Sequence, residues 1–176
     1  MDLNQFLAWE AQQELRFEYD GLQIFAMTGG TVAHVTLEGN VFTALRSRLS
    51  GKPCRAYTSN LKIKMAGSIR YADASVVCTP LSPTATYTTA PVVVFEIMSK
   101  SSAATDIGAK SAEYQATPSV QRYIVLQQDR HAAHVFFRTP DGWELEFADG
   151  TSVLDMPEIG IAVPMAEIYE DLALEG

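Results

Sequence analysis

Long hydrophobic runs are missing from this chain. None of its apolar stretches approaches the ~18 residues that a membrane-spanning helix requires, so a partner in the bilayer is not expected. Cysteine is scarce. Cys54 and Cys78 are the only two, and they show no metal-ligand spacing. The opening Met1-Asp2-Leu3-Asn4 lacks the basic start and apolar core of a secretory leader, so the default expectation is a cytoplasmic protein with reduced thiols. Internal repeats and low-complexity tracts are absent too. With 47% hydrophobic and 19% charged residues, the chain is too apolar for wholesale disorder, and its 176 residues predict one domain spanning 1–176.

Charge of one sign is absent over two long windows. Between Gly39 and Ala72 there is no acidic residue, while seven of the thirteen basic residues fall there, from Arg46 to Arg70. Beyond Arg138 there is no basic residue, and ten carboxylates run from Asp141 to Glu175. The net charge of −8 argues against a nucleic-acid partner, because Lys and Arg drive phosphate binding. The polarised distribution nonetheless leaves room for a local basic surface. Its bland reading is a solvated face.

What the chain does have begins with Leu3, Phe6 and Leu7, whose spacing predicts a helix from Asn4 to about Leu15. Phe17-Glu18-Tyr19, Asp20-Gly21 and Leu22 to Met27 read as a hairpin. After Gly29-Gly30 a second helix is predicted from Thr31 to Leu49, with Val35, Phe42, Leu45 and Leu49 on one face. Short strands follow at Arg55 to Tyr57 and Leu61 to Met65. The latter alternates, which predicts a wet, basic face carrying Lys62 and Lys64. Ile69 to Cys78 reads as a further apolar run, and Thr79 to Ala90 as a long exposed loop rich in Pro and Thr. A helix from Asp106 to about Ala116, strands from Arg122, Ala133 and Trp143, and a short acidic helix from Met165 to Ala173 complete the order. The fold class is α/β (α+β), with a central mixed sheet flanked by helices.

One stretch stands apart. Pro91-Val92-Val93-Val94-Phe95 is a continuous apolar run that meets a carboxylate at Glu96 before Ile97 and Met98 resume it. Such a run reads as a strand buried on both faces, and a buried Glu needs an ionic partner or a metal. Asp73 precedes the apolar Ala74-Ser75-Val76-Val77. If these two strands pair antiparallel, their carboxylates meet at one end of the sheet. Oxygen ligands of this kind suit Mg²⁺. On the following helix, Ile107 and Tyr114 are natural core anchors that would turn Lys110 towards the sheet, where it can orient an attacking water. The bland alternatives are a turn residue at Asp73, a solvated helix lysine at Lys110 and a helix-start role for Asp106.

These pieces, in this order, resemble the Uma-type restriction endonuclease family, which carries the PD-(D/E)xK nuclease core. The resemblance runs through Phe17-Glu18-Tyr19-Asp20-Gly21, Gly29-Gly30-Thr31-Val32-Ala33-His34, Ala72-Asp73, Val94-Phe95-Glu96-Ile97-Met98-Ser99, Asp106 with Lys110 and Tyr114, and Gln121-Arg122-Tyr123-Ile124-Val125. It implies a restriction-endonuclease-like core and an Mg²⁺-dependent endodeoxyribonuclease, with Mn²⁺ as a possible substitute, acting on DNA as a homodimer. Carried over by residue, Asp73, Glu96 and the Ile97 carbonyl hold the metal, Lys110 serves the attacking water, and Glu18 completes the catalytic set. His34 matches a histidine at the Gly-Gly turn. Two departures are Ala72, where the family has proline, and Met98-Ser99-Lys100-Ser101 in place of Leu-Ser-Pro-Ser. Met98 also stands where adjacent-lysine forms of the motif carry their Lys, so the basic group must reach the site through space from Lys110. The alternative is a scaffold whose chemistry has decayed to nucleic-acid binding or protein interaction.

Overall fold

A computed structural model describes residues 1–99 and 106–173. Helix α1 (Leu3–Glu10) starts at Asp2, whose carboxylate accepts from the Asn4 and Gln5 backbones while the Gln5 side chain accepts from the Asp2 N–H. This reciprocal capping box fixes the first turn. The helix stops well short of Leu15. Glu10 faces inward, and the next backbone bonds, Gln12 to Trp9 and Gln13 to Glu10, already span three residues rather than four. Strands β1 (Phe17–Tyr19) and β2 (Ile24–Ala26) form the expected hairpin, with Asp20 Oδ1 taking the Leu22 and Gln23 N–H groups. Gly21 has φ +93°, a conformation open mainly to glycine.

Helix α2 (Val32–Arg48) is capped by Thr31, whose hydroxyl accepts from the His34 N–H. Its buried stripe is Leu37, Val41, Ala44 and Leu45, with Leu49 just beyond. Val35, expected on that stripe, is exposed. It lies two residues from Leu37, which is about 200° around the helix axis.

The strands that follow are β3 (Arg55–Thr58), β4 (Lys62–Lys64), β5 (Ile69–Arg70), β6 (Ala74–Val77), β7 (Tyr87–Thr88) and β8 (Pro91–Met98). After a π turn (Asp106–Lys110) and α3 (Ser111–Ala116) come β9 (Arg122–Gln127), β10 (Ala132–Thr139), β11 (Gly142–Asp149), β12 (Val153–Met156), β13 (Ile161–Pro164) and α4 (Met165–Ile168). They make a six-stranded sheet, β11-β10-β9-β8-β6-β3, a five-stranded sheet, β2-β1-β5-β4-β7, and the ribbon β12-β13. In the larger sheet β8 and β9 are parallel and the other neighbours antiparallel. The run from Ile69 to Cys78 is therefore two strands in different sheets, broken at Tyr71–Asp73. The expected long loop contains β7, and the ribbon occupies a region the sequence left without strands.

Strand β8 divides the interior. Val93, Phe95 and Ile97 pack with Leu37, Val41 and Leu45 of α2, whereas Val94 on the other face packs with Tyr114, Tyr123 and Val125. Alternation along the strand assigns Glu96 to the second face. Each large side chain buried here contributes about 1.5–3 kcal/mol relative to exposure.

Two expectations are corrected at β3–β6. Arg55 pairs with Val77, and one step further along that register brings Cys54 to Cys78, whose sulfurs are bonded. The thiols are therefore not the reduced pair expected. The expected wet, basic face of β4 also fails at one of its two lysines. Lys62 is buried, with its ammonium 2.8 Å from Glu10, and the Tyr71 hydroxyl donates to Glu10 at 2.7 Å. Lys64 donates to Asn4 Oδ1. Lys64 stays half-exposed, so the departure lies at Lys62, because alternation reveals period but not what packs on the second face.

Burial pushes the Glu10 carboxyl up, but the hydrogen bonds from Lys62 and Tyr71 outweigh it and hold it below its ordinary 4.5. Its contribution to stability is full above 4.5 and is lost as pH falls through the lowered value. Urea unfolding across an acid pH series will show a destabilisation that Glu10→Gln partly removes from the pH dependence. The same substitution at neutral pH lowers stability by about 3–5 kcal/mol, because Lys62 loses its partner.

A candidate active site where two sheets meet

Ala74 of β6 lies opposite Phe95 of β8, so continuing the antiparallel register by one residue sets Asp73 against Glu96. Asp73 ends the strand by replacing a backbone acceptor: its Oδ2 takes the Ile97 N–H at 2.6 Å. Its Oδ1 lies 3.1 Å from Nε2 of His34 on the first turn of α2. Glu18 plays a similar part on β1. Its Oε1 accepts from the Tyr71 N–H at 2.9 Å, while Oε2 meets Arg70 at 3.3 Å and Lys110 at 3.6 Å. Both carboxylates thus satisfy backbone groups where a ladder stops.

Glu96 is 4% exposed and finds its partners on the helix behind β8. Lys110 Nζ donates to Oε2 at 3.1 Å, and the Tyr114 hydroxyl donates to Oε1 at 3.0 Å. Burial, reinforced by the negative charge of Glu96, holds the Tyr114 hydroxyl well above its ordinary range, so it stays a donor. Tyr114 is the expected anchor, but Ile107 is exposed. The reason is local. Residues 106–110 form a π turn, which shifts the phase of the side chains relative to an α-helix. Lys110 still reaches inward from the last position of that turn. The side chain of Asp106 and the segment Lys100-Ser101 lie outside the described residues.

The structure therefore brings Asp73, Glu96, Ile97, Lys110, Glu18 and His34 around one cleft of about 750 Å³. It also supplies a layer that sequence reasoning missed. Arg70, 2% exposed, binds Glu113 of α3 through Nε at 2.8 Å and Nη2 at 2.6 Å, and Ser68 donates to the same carboxylate. Burial pulls the guanidinium down, but Glu113 and then Glu18 outweigh it and raise it, so it remains charged. This fork ties α3 to β5 and holds Glu18 beside Lys110. The only signal for it was Glu113 three residues after Lys110, which by itself reads as an ordinary helix pair. Arg70 was expected on a basic surface and is instead interior.

An acidic cluster at the end of β6 and β8, approached by a helix lysine, thus sits on a mixed sheet with the overall fold of a restriction-endonuclease-like protein. The comparisons agree. The sequence profile described as "Putative restriction endonuclease", Uma2, matches residues 3–166, and the chain belongs to that family. It is 30% identical over 173 residues to the uncharacterized protein slr1290 of Synechocystis sp., covering 96% of this chain and 91% of that protein. A crystal structure of "a putative nuclease belonging to DUF820" from Anabaena variabilis superposes with a TM-score of 0.80 at 17% identity, covering 96% of this chain and 97% of that one, and so shares its fold.

Removing the Tyr114 hydroxyl strips a donor from a buried carboxylate. Tyr114→Phe will lower stability by about 1.5–3 kcal/mol, and Arg70→Ala, which takes the guanidinium from Glu113, leaving it the Ser68 hydroxyl, and leaves Glu18 with one cation fewer, by about 3–5 kcal/mol. Chemical denaturation of both variants checks the order.

Proposed function

We propose that this protein is a divalent-cation-dependent DNA endonuclease that hydrolyses phosphodiester bonds. The observation that carries the reading is the meeting of Glu96 and Lys110 at 3.1 Å beside Asp73 and Glu18 in one cleft. Among the described residues, no three His, Cys, Asp or Glu side chains form a ready-made metal cage. Mg²⁺ asks for less: one or two carboxylates suffice, the rest of its shell remaining water. The donor set fits such a hard cation. Asp73 and Glu96 would hold it, joined by the Ile97 carbonyl, which strand geometry turns to the same edge as the Ile97 N–H that Asp73 receives. Each carboxylate oxygen keeps lone pairs beyond those used by His34, Ile97, Lys110 and Tyr114. Mn²⁺ has the same preference for oxygen ligands.

When bound, the cation supplies Lewis-acid polarisation of the phosphate and acidifies water. The chain's own residues do the remainder. Lys110 orients the attacking water and offsets charge developing on the phosphate. Glu18, 3.6 Å from Lys110 Nζ, keeps that ammonium in the cleft. Tyr114 fixes the rotamer of Glu96, and His34 fixes that of Asp73, both acting as positioning residues.

Plasmid and oligonucleotide cleavage with Mg²⁺ or Mn²⁺ tests this. Activity should vanish on chelation, and Glu96→Gln and Lys110→Met should each reduce the rate by about a hundredfold or more. Equal cutting by all three proteins would assign the activity to a contaminant. DNA binding without cleavage by the wild type would favour a scaffold whose chemistry has decayed.

A further inference from the structure

Among the described residues, the cleft that holds the acidic cluster is poor in cations. Its walls carry five carboxylates, those of Glu14, Glu18, Glu38, Asp73 and Glu96. Against these stand Arg16 and Lys110, with His34 the remaining ionisable group capable of positive charge. None of the seven basic residues of the middle segment lines the cleft. Lys62 and Arg70 are buried on Glu10 and Glu113, and Arg48 is forked onto Glu167. A duplex-tracking surface needs a row of phosphate contacts, and among the described residues this cleft offers two Lys or Arg side chains, Arg16 and Lys110.

It offers an apolar shelf instead. Phe25 on β2 is the cross-strand partner of Glu18, so the two side chains leave the hairpin on the same face. Phe25 is 43% exposed, and Leu15 and Val35, also exposed, line the same cleft. Phe25 thus stands partly in solvent next to the carboxylate cluster. It lines the same cleft as the proposed catalytic cluster.

We infer that the cleft takes unpaired DNA: a nucleobase stacks on Phe25, flanked by Leu15 and Val35, while the adjoining phosphate is directed to Lys110 and Arg16. This rests on the nuclease reading of the site and narrows its substrate to single-stranded or locally unpaired strands. Base stacking needs no cation row and is tolerant of sequence, which matches a cleft whose exposed aromatic, Phe25, sits among apolar neighbours beside the acidic cluster.

The test is fluorescence anisotropy on the intact protein with Ca²⁺ replacing Mg²⁺. The probes are fluorescein-labelled single-stranded oligothymidylate and the same strand annealed to oligodeoxyadenylate. The single strand should bind about tenfold tighter than the duplex, with a salt slope no steeper than about −1.4, the value for two phosphate contacts. Phe25→Ala should weaken single-strand binding about fivefold to a hundredfold, Phe25→Leu should do nearly the same, and Phe25→Trp should retain it. Far-UV circular dichroism of each variant establishes that it is folded. Equal or tighter duplex binding, or a Phe25→Ala variant that binds like the wild type, overturns the inference. The two readings fail separately. Single-strand preference without cleavage supports this inference and counts against the nuclease, whereas cleavage with duplex preference does the reverse.

Discussion

A buried negative charge is the constraint on which the rest of this structure depends. Glu96 interrupts an apolar strand between two packed faces, and a carboxylate there is tolerated only if its charge is met. Lys110 and Tyr114 meet it from one helix. That requirement sets where α3 lies on β8 and which face of the sheet carries the cluster around Glu96. The π turn preceding α3 belongs to the same requirement, since it lets Lys110 point inward while Ile107 remains exposed.

Around Glu96 the site is built from carboxylates that substitute for missing backbone partners. Asp73 closes the β6–β8 ladder on the Ile97 N–H, and Glu18 receives the Tyr71 N–H. Strand ends are where such groups are needed, and they are also where a cleft can open. Structural satisfaction and ligand capacity therefore come from the same atoms. Arg70 and Glu113 then lock the small sheet to α3, and through Glu18 they fix the two sides of the cleft relative to each other. The expected consequence is a preorganised site rather than one assembled by loop closure.

Much of this was legible in the sequence. The Glu in an apolar run and the Asp before a second run could be named from alternation alone, whereas Lys110 was placed by Tyr114 and the family resemblance, its second anchor Ile107 being exposed. The hairpin at Asp20-Gly21 was equally plain, because Gly21 is required by its backbone conformation. What could not be read depends on contacts remote in sequence. Lys62 looked solvated because nothing near it reveals that Glu10, 52 positions earlier, folds back on it. Arg70 looked like part of a basic surface for the same reason. Val35 was misplaced because helical period alone does not fix the phase of the buried stripe, and Ile107 because a π turn leaves no mark in the pattern. The Cys54–Cys78 bond follows from a strand register that local sequence does not determine.

The central claim is that Asp73 and Glu96 together form a seat for one hard divalent cation. Anomalous diffraction from crystals soaked in Mn²⁺ tests it most directly. The account predicts a single peak per chain in contact with both carboxylates and with the Ile97 carbonyl, and its loss in Glu96→Gln crystals of the same form. A fully soaked crystal with no peak between these two side chains, or a peak that persists unchanged in the Glu96→Gln protein, would contradict it.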